Sequence, residues 1–328
     1  MFSRTFARPT PLALVPGCIL EHGPFATRSS RGANRSTRAL RLFSEGSDCT
    51  TASTVSRQEK ISSPWTDPQL SERSKRKRRG NTRFRQHVNP LSRKYQQETE
   101  LSEKWPQDVF SDCSKQLHID IGCGKGGFLL DLAKQEPKDG LDSYNYLGLE
   151  IRPLVAQYAR DRVAVHHLQG KLDYVGCNAN VDLSRVLRLY QKAALARMDD
   201  DNHNLRLTRV TIQFPDPHFK SHHAKRRVVT PQLIDALAVY MPTNAVVFLQ
   251  SDVQSVLDDM RLQFRERAVY FEDMLESKND YLSENFLGVP TEREVSVLDK
   301  GLPVYRAVFT RTSELLLPAT ERIIQDVL

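Results

Sequence analysis

Long apolar runs are missing from this 328-residue chain. No stretch approaches the roughly 20 residues needed to span a bilayer, and a mean hydropathy of −0.49 agrees with that. Cysteine is scarce. Cys18, Cys49, Cys113, Cys123 and Cys177 are the five, and none forms a C-x-x-C pair. Their spacing suits neither zinc nor a disulfide framework, so free thiols in a reducing compartment and no metal are expected. No internal repeat is evident. Acids are nearly absent from the front of the chain, where Glu21 is the only one before Glu45.

What the front does contain is arginine, at positions 4, 8, 28, 31, 35, 38 and 41, with many serines and threonines. Arg-rich, Ser-rich, acid-poor composition is the mark of an organelle transit segment. Residues 1–57 are therefore expected to be a disordered transit peptide, directing the chain to the chloroplast or, alternatively, the mitochondrion. Residues 58–110 are expected to form a basic, largely flexible arm. Its run from Ser74 to Arg85 is rich in lysine and arginine, and order is expected to begin near His87–Leu91. The net charge of +7 makes nucleic acid or another anionic surface a plausible partner. A hydrophobic fraction of 39% allows a real core in the remaining 111–328.

That remainder alternates strand and helix. Strands are expected at 117–121, 146–149, 174–176, 207–214, 245–250 and 305–310. Helices are expected at 128–134, 153–165, 181–197, 230–241, 253–268 and 314–328, the last interrupted at Pro318. Thr230 reads as an N-cap with Pro231 at the first helical position. Such alternation calls for a mostly parallel central sheet with helices on both faces.

Two turns carry chemistry. Gly122, Gly124 and Gly127 satisfy G-x-G-x-x-G, a weak dinucleotide signal on its own. A tight structural turn would also explain these glycines. The same segment reads Asp-x-Gly-x-Gly-x-Gly from Asp120 to Gly126. Glycine lets the backbone approach a ligand closely, and Glu150, after the second strand, can hold two ribose hydroxyls. Asp120 favours S-adenosylmethionine over a nicotinamide cofactor, because a carboxylate there can receive the ammonium group that only the former carries. Asn178, after the third strand, is placed to bond an adenine edge, although an ordinary turn asparagine would look the same.

The second turn is Phe214-Pro-Asp-Pro-His-Phe-Lys220, followed by Lys225-Arg-Arg227. Pro215 ends the strand for want of an N–H, and Pro217 keeps Asp216 out of helical angles. The acid is thus held on a stiff loop at the carboxyl edge of the sheet, where open α/β folds bind ligands. His218, Lys220, His222, His223, Lys225, Arg226 and Arg227 make a cationic apron beside it. The apron alone, or the acid alone, would be a solvated turn. Together they suit a base on its phosphate backbone, with Lys220, Lys225, Arg226 and Arg227 contacting phosphates.

These residues resemble the tRNA (guanine-N7-)-methyltransferase family. The resemblance runs over roughly Leu117–Thr310. It is carried by Asp-Ile-Gly-Cys-Gly-Lys-Gly-Gly at 120–127, Gly-Leu-Glu-Ile-Arg at 148–152, the Pro-Asp-Pro segment with Lys-Arg-Arg, Gln-Ser-Asp at 250–252 and Thr-Glu-Arg-Glu at 291–294. Phe-Arg-Gln-His-Val-Asn-Pro-Leu at 84–91 looks like the plastid-type members. The resemblance implies a Rossmann-like class I methyltransferase fold and an enzyme that uses S-adenosyl-L-methionine to methylate N7 of a guanine in tRNA, guanine 46 of the variable loop. It implies that Asp120, Gly122, Gly124, Glu150, Arg152, Asn178 and Ala179 line the cofactor site and that Asp216 is the active-site acid. It further implies that Lys220, Asp252, Thr291 and Glu294 contact substrate or close over the pocket. Two departures stand out. Gln213 occupies a position where many relatives carry an apolar residue, and the 188–206 segment is longer than a minimal member needs.

Guanine N7 already carries a lone pair, so no strong base is required. Asp216 can either stabilise the charge that develops on the ring or fix the guanine by accepting from its N–H groups. A silent RNA-binding module would be expected to have lost Asp120, Glu150 or Asp216, and all three are present. An NAD-dependent oxidoreductase would carry a proton relay such as Tyr-x-x-x-Lys, which is not found. A methyltransferase acting on a small molecule or another RNA shares the cofactor site, and the basic apron argues against the small molecule. No partner subunit is named by the sequence, and action by the chain alone is expected.

Overall fold

The strand Leu117–Ile121 (β1) is buried along its whole length, its His118 and Asp120 included, as a strand covered on both faces is. It pairs in parallel with Asn145–Glu150 (β2) on one side and Leu207–Gln213 (β4) on the other. A computed structural model of the protein describes residues 88–135, 144–197, 205–218, 225–275, 277 and 279–314. Leu172–Gly176 (β3), Val246–Ser251 (β5), Phe271–Asp273 (β6) and Tyr305–Arg311 (β7) complete a seven-stranded sheet of order β3-β2-β1-β4-β5-β7-β6. Every pairing is parallel except those of β7, which runs against both β5 and β6. Strand order reverses at β1, between β2 and β4, which opens a crevice at the carboxyl edge.

Helices cover both faces, as the alternation requires. On one side α3 (Ala179–Leu195), α4 (Pro231–Tyr240) and α5 (Gln254–Arg265) bury Leu187, Ile234 and Phe264 against Ile119, Val210 and Val247. On the other, α1 (Gly127–Lys134) and α2 (Pro153–Val165) bury Leu129, Leu130 and Ala159 with Tyr146, Tyr174 and Phe248. Gly148 is required by close packing, since a Cβ there would lie 2.3 Å from the Tyr174 ring. A short helix, α6 (Glu292–Leu298), precedes β7.

Thr230 caps α4 by accepting from Leu233 N at 3.1 Å, with Pro231 opening the helix, and α2 spans the expected residues. Helix α3 begins two residues before its expected start because Asn178 caps it, accepting from Asn180 N at 3.1 Å. Strand β6 and helix α6 were not expected, being too short to show a period. The expected helix beyond residue 314 and the basic run from Ser74 to Arg85 lie outside the described residues.

Residues 88–110, which composition places in the flexible arm, pack onto the domain. Trp105 and Phe110 are buried with Cys113 in the larger core cluster. Thr99 is stitched to β3 and α3, its hydroxyl donating to Gly176 O at 2.7 Å and its N–H to the Asp182 carboxylate. Apolar burial at Trp105 and Phe110 outweighs the surrounding polar composition.

Candidate active site

The glycine turn after β1 and the proline loop after β4 face each other across the crevice. Between them, and below the start of α6, lies a cavity of about 860 Å³ bordered by Asp120, Gly122, Gly124, Arg152, Asp216 and Thr291. A smaller cavity of about 170 Å³ adjoins it, bordered by Glu150, Asn178, Ala179, Val88, Pro90 and Arg226. Gly122, Arg152, Phe214, Pro215 and Asp216 border both. The larger space is the size of an ordinary ligand site.

Asp120 is buried near the end of β1. Its Oδ1 accepts from Thr211 Oγ1 at 2.7 Å and Gln213 Nε2 at 3.4 Å. Burial nevertheless pushes its carboxyl up to about 6, and the nearby Glu150 acts in the same direction. A buried acid that borders a cavity, with another acid as neighbour, suits a cationic ligand group. Glu150, at the end of β2, accepts from Gly124 N at 3.0 Å and Arg152 N at 3.0 Å, and its carboxylate is forked by Arg152 Nε at 2.7 Å and Nη2 at 3.1 Å. Gly122 and Gly124 have φ of 84° and 55°, and a Cβ on either would meet nothing within 4 Å. The backbone therefore lies open to the cavity. Asp120 and the glycine turn fit S-adenosylmethionine, with an acid for its ammonium and bare backbone for close approach, and Glu150 borders the adjoining cavity with both carboxylate oxygens engaged.

Asp216 stands between Pro215 and Pro217, half-buried at the junction of the two cavities. The loop is bounded by Phe214 and His218, both with positive φ, 49° and 30°. Such backbone is uncommon outside glycine and is kept only where its surroundings hold it. One hold is Phe214 N, which donates to Gln250 O at 2.8 Å.

A methyltransferase family model, described as "Putative methyltransferase", matches residues 114–307. A tRNA (guanine-N(7)-)-methyltransferase of Synechococcus elongatus is 46% identical over 235 residues, 70% of this chain and 96% of that protein. Proteins of the same name from Thermosynechococcus vestitus and Trichormus variabilis are 44% and 42% identical, each covering 70% of this chain and 95% and 97% of their own lengths. The chain belongs to the tRNA (guanine-N(7)-)-methyltransferase family. It is an S-adenosylmethionine-dependent enzyme with a Rossmann-like class I methyltransferase fold.

In this methyltransferase the remaining candidate residues divide. Ala179, Asp252 and Thr291 border the cavities, and Asp252 pairs with Arg293. Asn178 borders the smaller cavity, but its amide is engaged as the α3 cap and as a donor to Tyr95 O at 2.9 Å. Glu294 is not brought to the cavity. It is 2% exposed, closes a capping box with Thr291 and pairs with Arg306 at 2.7 Å. The Thr-x-x-Glu spacing at 291–294 is the signature of that box, so a helix start is the better reading of Glu294. Arg226 borders the smaller cavity, whereas Arg227 turns to Asp259 of α5. Lys220, His222 and His223 lie outside the described residues.

Lys125 and Glu292 went unnoticed in the sequence. They border the larger cavity and pair at 3.6 Å, tying the glycine turn to α6. Among the described residues no group of three or more His, Cys, Asp or Glu could hold a metal ion, and no helix is long and apolar enough to cross a membrane. Cys123, in the glycine turn, has its thiol pushed well up by burial and stays protonated.

Proposed function

We propose that this enzyme transfers the methyl group of S-adenosylmethionine to N7 of a guanine in tRNA, guanine 46 of the variable loop. The observation that carries the reading is Asp216, fixed between two prolines where the two cavities meet. The names of relatives that match over 95–97% of their length support it. When bound, the cofactor supplies an electrophilic methyl on sulfur. The chain's part is to align N7 with that methyl, exclude water and place a carboxylate where the ring becomes cationic. Arg226, at the rim of the smaller cavity, supplies a phosphate contact, and Lys220 and Lys225 follow from the same charge pattern.

The test is nucleoside mass spectrometry of tRNA incubated with the purified chain and S-adenosylmethionine, followed by mapping of the methylated base. N7-methylguanosine at position 46 is expected. Methylation at another atom, or of another RNA in preference, would overturn the reading.

The arginine- and serine-rich front, with one acid before residue 45, supports import into the plastid. The cyanobacterial source of the relatives agrees with a plastid enzyme. Residues 1–60 fused to a fluorescent protein are expected to carry it into chloroplasts, and a diffuse cytosolic signal would refute import.

A further inference from the structure

Gln213 breaks the apolar pattern before Phe-Pro, and its side chain is buried. Register sets it opposite Gln250 of β5, and Gln250 opposite Arg306 of β7. Paired residues of neighbouring strands share a sheet face, so the three form one polar row. Arg306 Nε donates to Gln250 Oε1 at 3.0 Å, and Gln250 Nε2 donates to Gln213 Oε1 at 3.1 Å. Gln213 Nε2 then donates to Asp120 Oδ1 at 3.4 Å. Glu294 anchors the far end, accepting from Arg306 Nη2 at 2.7 Å and from Gln250 Nε2 at 2.9 Å.

The direction of this row is forced. A guanidinium only donates, so Gln250 must offer Arg306 its oxygen and keep its amino group for Gln213 and Glu294. Gln213 must then offer its oxygen to Gln250, which leaves its own amino group for Asp120. Gln250, Glu294 and Arg306 are each under 5% exposed, and a reversed amide would set two donors or two acceptors face to face away from water.

We propose that Gln213 is a positioning residue for the cofactor: with Thr211 it holds Oδ1 of Asp120 and so leaves Oδ2 for the ammonium group of S-adenosylmethionine, while Glu294, Arg306 and Gln250 fix the amide that does this. The proposal rests on the reading of Asp120 as the acid for the cofactor's amino-acid end. Other titratable groups around Asp120 are Glu150, Cys123, Tyr174 and His118, whose Nε2 lies 3.4 Å from the Thr211 hydroxyl and which burial pushes well below its usual range. Burial pushes Cys123 and Tyr174 well above their usual ranges. Glu150 is held by Arg152. Comparison with Asp120→Asn assigns the part of the pH dependence that belongs to Asp120.

The experiment uses the full chain without RNA, and calorimetry from pH 5.5 to 8 with two probes. S-adenosylhomocysteine carries the amino-acid end, and 5′-methylthioadenosine lacks it. For Gln213→Met, the affinity for S-adenosylhomocysteine is expected to fall about tenfold at neutral pH, the loss of a hydrogen bond to a charged group. The midpoint of its pH dependence should rise, and methylthioadenosine should bind as before. Glu294→Gln, whose side chain is buried behind the cavity wall, should move the same probe in the same direction by less. Unchanged S-adenosylhomocysteine binding in both variants would overturn the proposal. So would an equal loss for the two probes, which would make Gln213 a packing residue. Asp120→Asn separates the underlying reading: if it leaves S-adenosylhomocysteine binding intact, Asp120 does not receive the ammonium and the row has no cofactor to position.

Discussion

Asp120 and Asp216 are the same residue type at the ends of neighbouring strands, and they are held in opposite ways. Asp120 lies inside the sheet edge, 4% exposed, with hydroxyl and amide donors from β4 on one oxygen. Asp216 stands on a loop, its position set by the two prolines around it and by unusual backbone angles on either side. Burial tunes the first, raising its carboxyl to about 6. Under the proposed function, stiffness presents the second to a substrate that arrives from solvent. The surroundings of Asp120 are built from strands and their register, and those of Asp216 from loop geometry.

The sharpest way to break this contrast is at the loop. Asp216→Asn keeps volume between the prolines and removes the charge. Methyl transfer to tRNA should fall about a hundredfold or more, with S-adenosylhomocysteine affinity unchanged by calorimetry. A near-normal rate would reduce Asp216 to a turn residue.

At the buried acid the effect depends on pH. Because the folded value is raised above 3.8, to about 6, the native state binds the proton more tightly than the unfolded chain. Asp120 therefore costs no stability below about pH 4. The cost grows as pH rises to about 6 and is then constant. Asp120→Asn should stabilise the cofactor-free protein at pH 8 by up to about 3 kcal/mol and change it little at pH 4. Thermal melts at the two pH values check this, and equal shifts would refute it. Cofactor binding to the unaltered chain should weaken as pH drops below about 6.

The basic apron sharpens the comparison further. Arg226→Ala should weaken tRNA binding and lower the slope of log affinity against log salt by about 1. Arg227→Ala should act mainly on stability, because its partner is Asp259. Salt-dependent binding measurements on the two variants separate them: slopes lowered equally in both would place both arginines on the RNA path, and slopes unchanged in both would place neither there. The smallest effect is expected at Asn178. Its replacement by alanine removes a cap and costs about 1 kcal/mol, read in a denaturant melt. It also frees the Tyr95 end of the segment it holds.

The sheet's alternation, β1, α2, and the Thr230–Pro231 start of α4 were legible because each depends on near neighbours. So was the proline loop, whose stiffness is covalent. What was not legible depends on register. Nothing local says that Gln213, Gln250 and Arg306 sit side by side, since they are brought together by two separate strand pairings. Glu294 shows the cost of reading position without burial. Its spacing from Thr291 announces a capping box, yet resemblance alone made it a substrate contact. Asn178 does border the smaller cavity, and the bonds of its amide to α3 and Tyr95 could not be read from the sequence.

The packing of Trp105, Phe110 and Thr99 also decides where the chain can be cut. Composition would place the scissors at residue 111, just past the basic arm. A protein shortened there would lose a fully buried phenylalanine, a buried indole and the strap across β3 and α3. Losing a buried aromatic alone costs about 3–5 kcal/mol, a large share of a typical domain's margin. A working fragment has to include Val88 and all that follows it to residue 110, which also keeps the wall that Val88 and Pro90 give the smaller cavity.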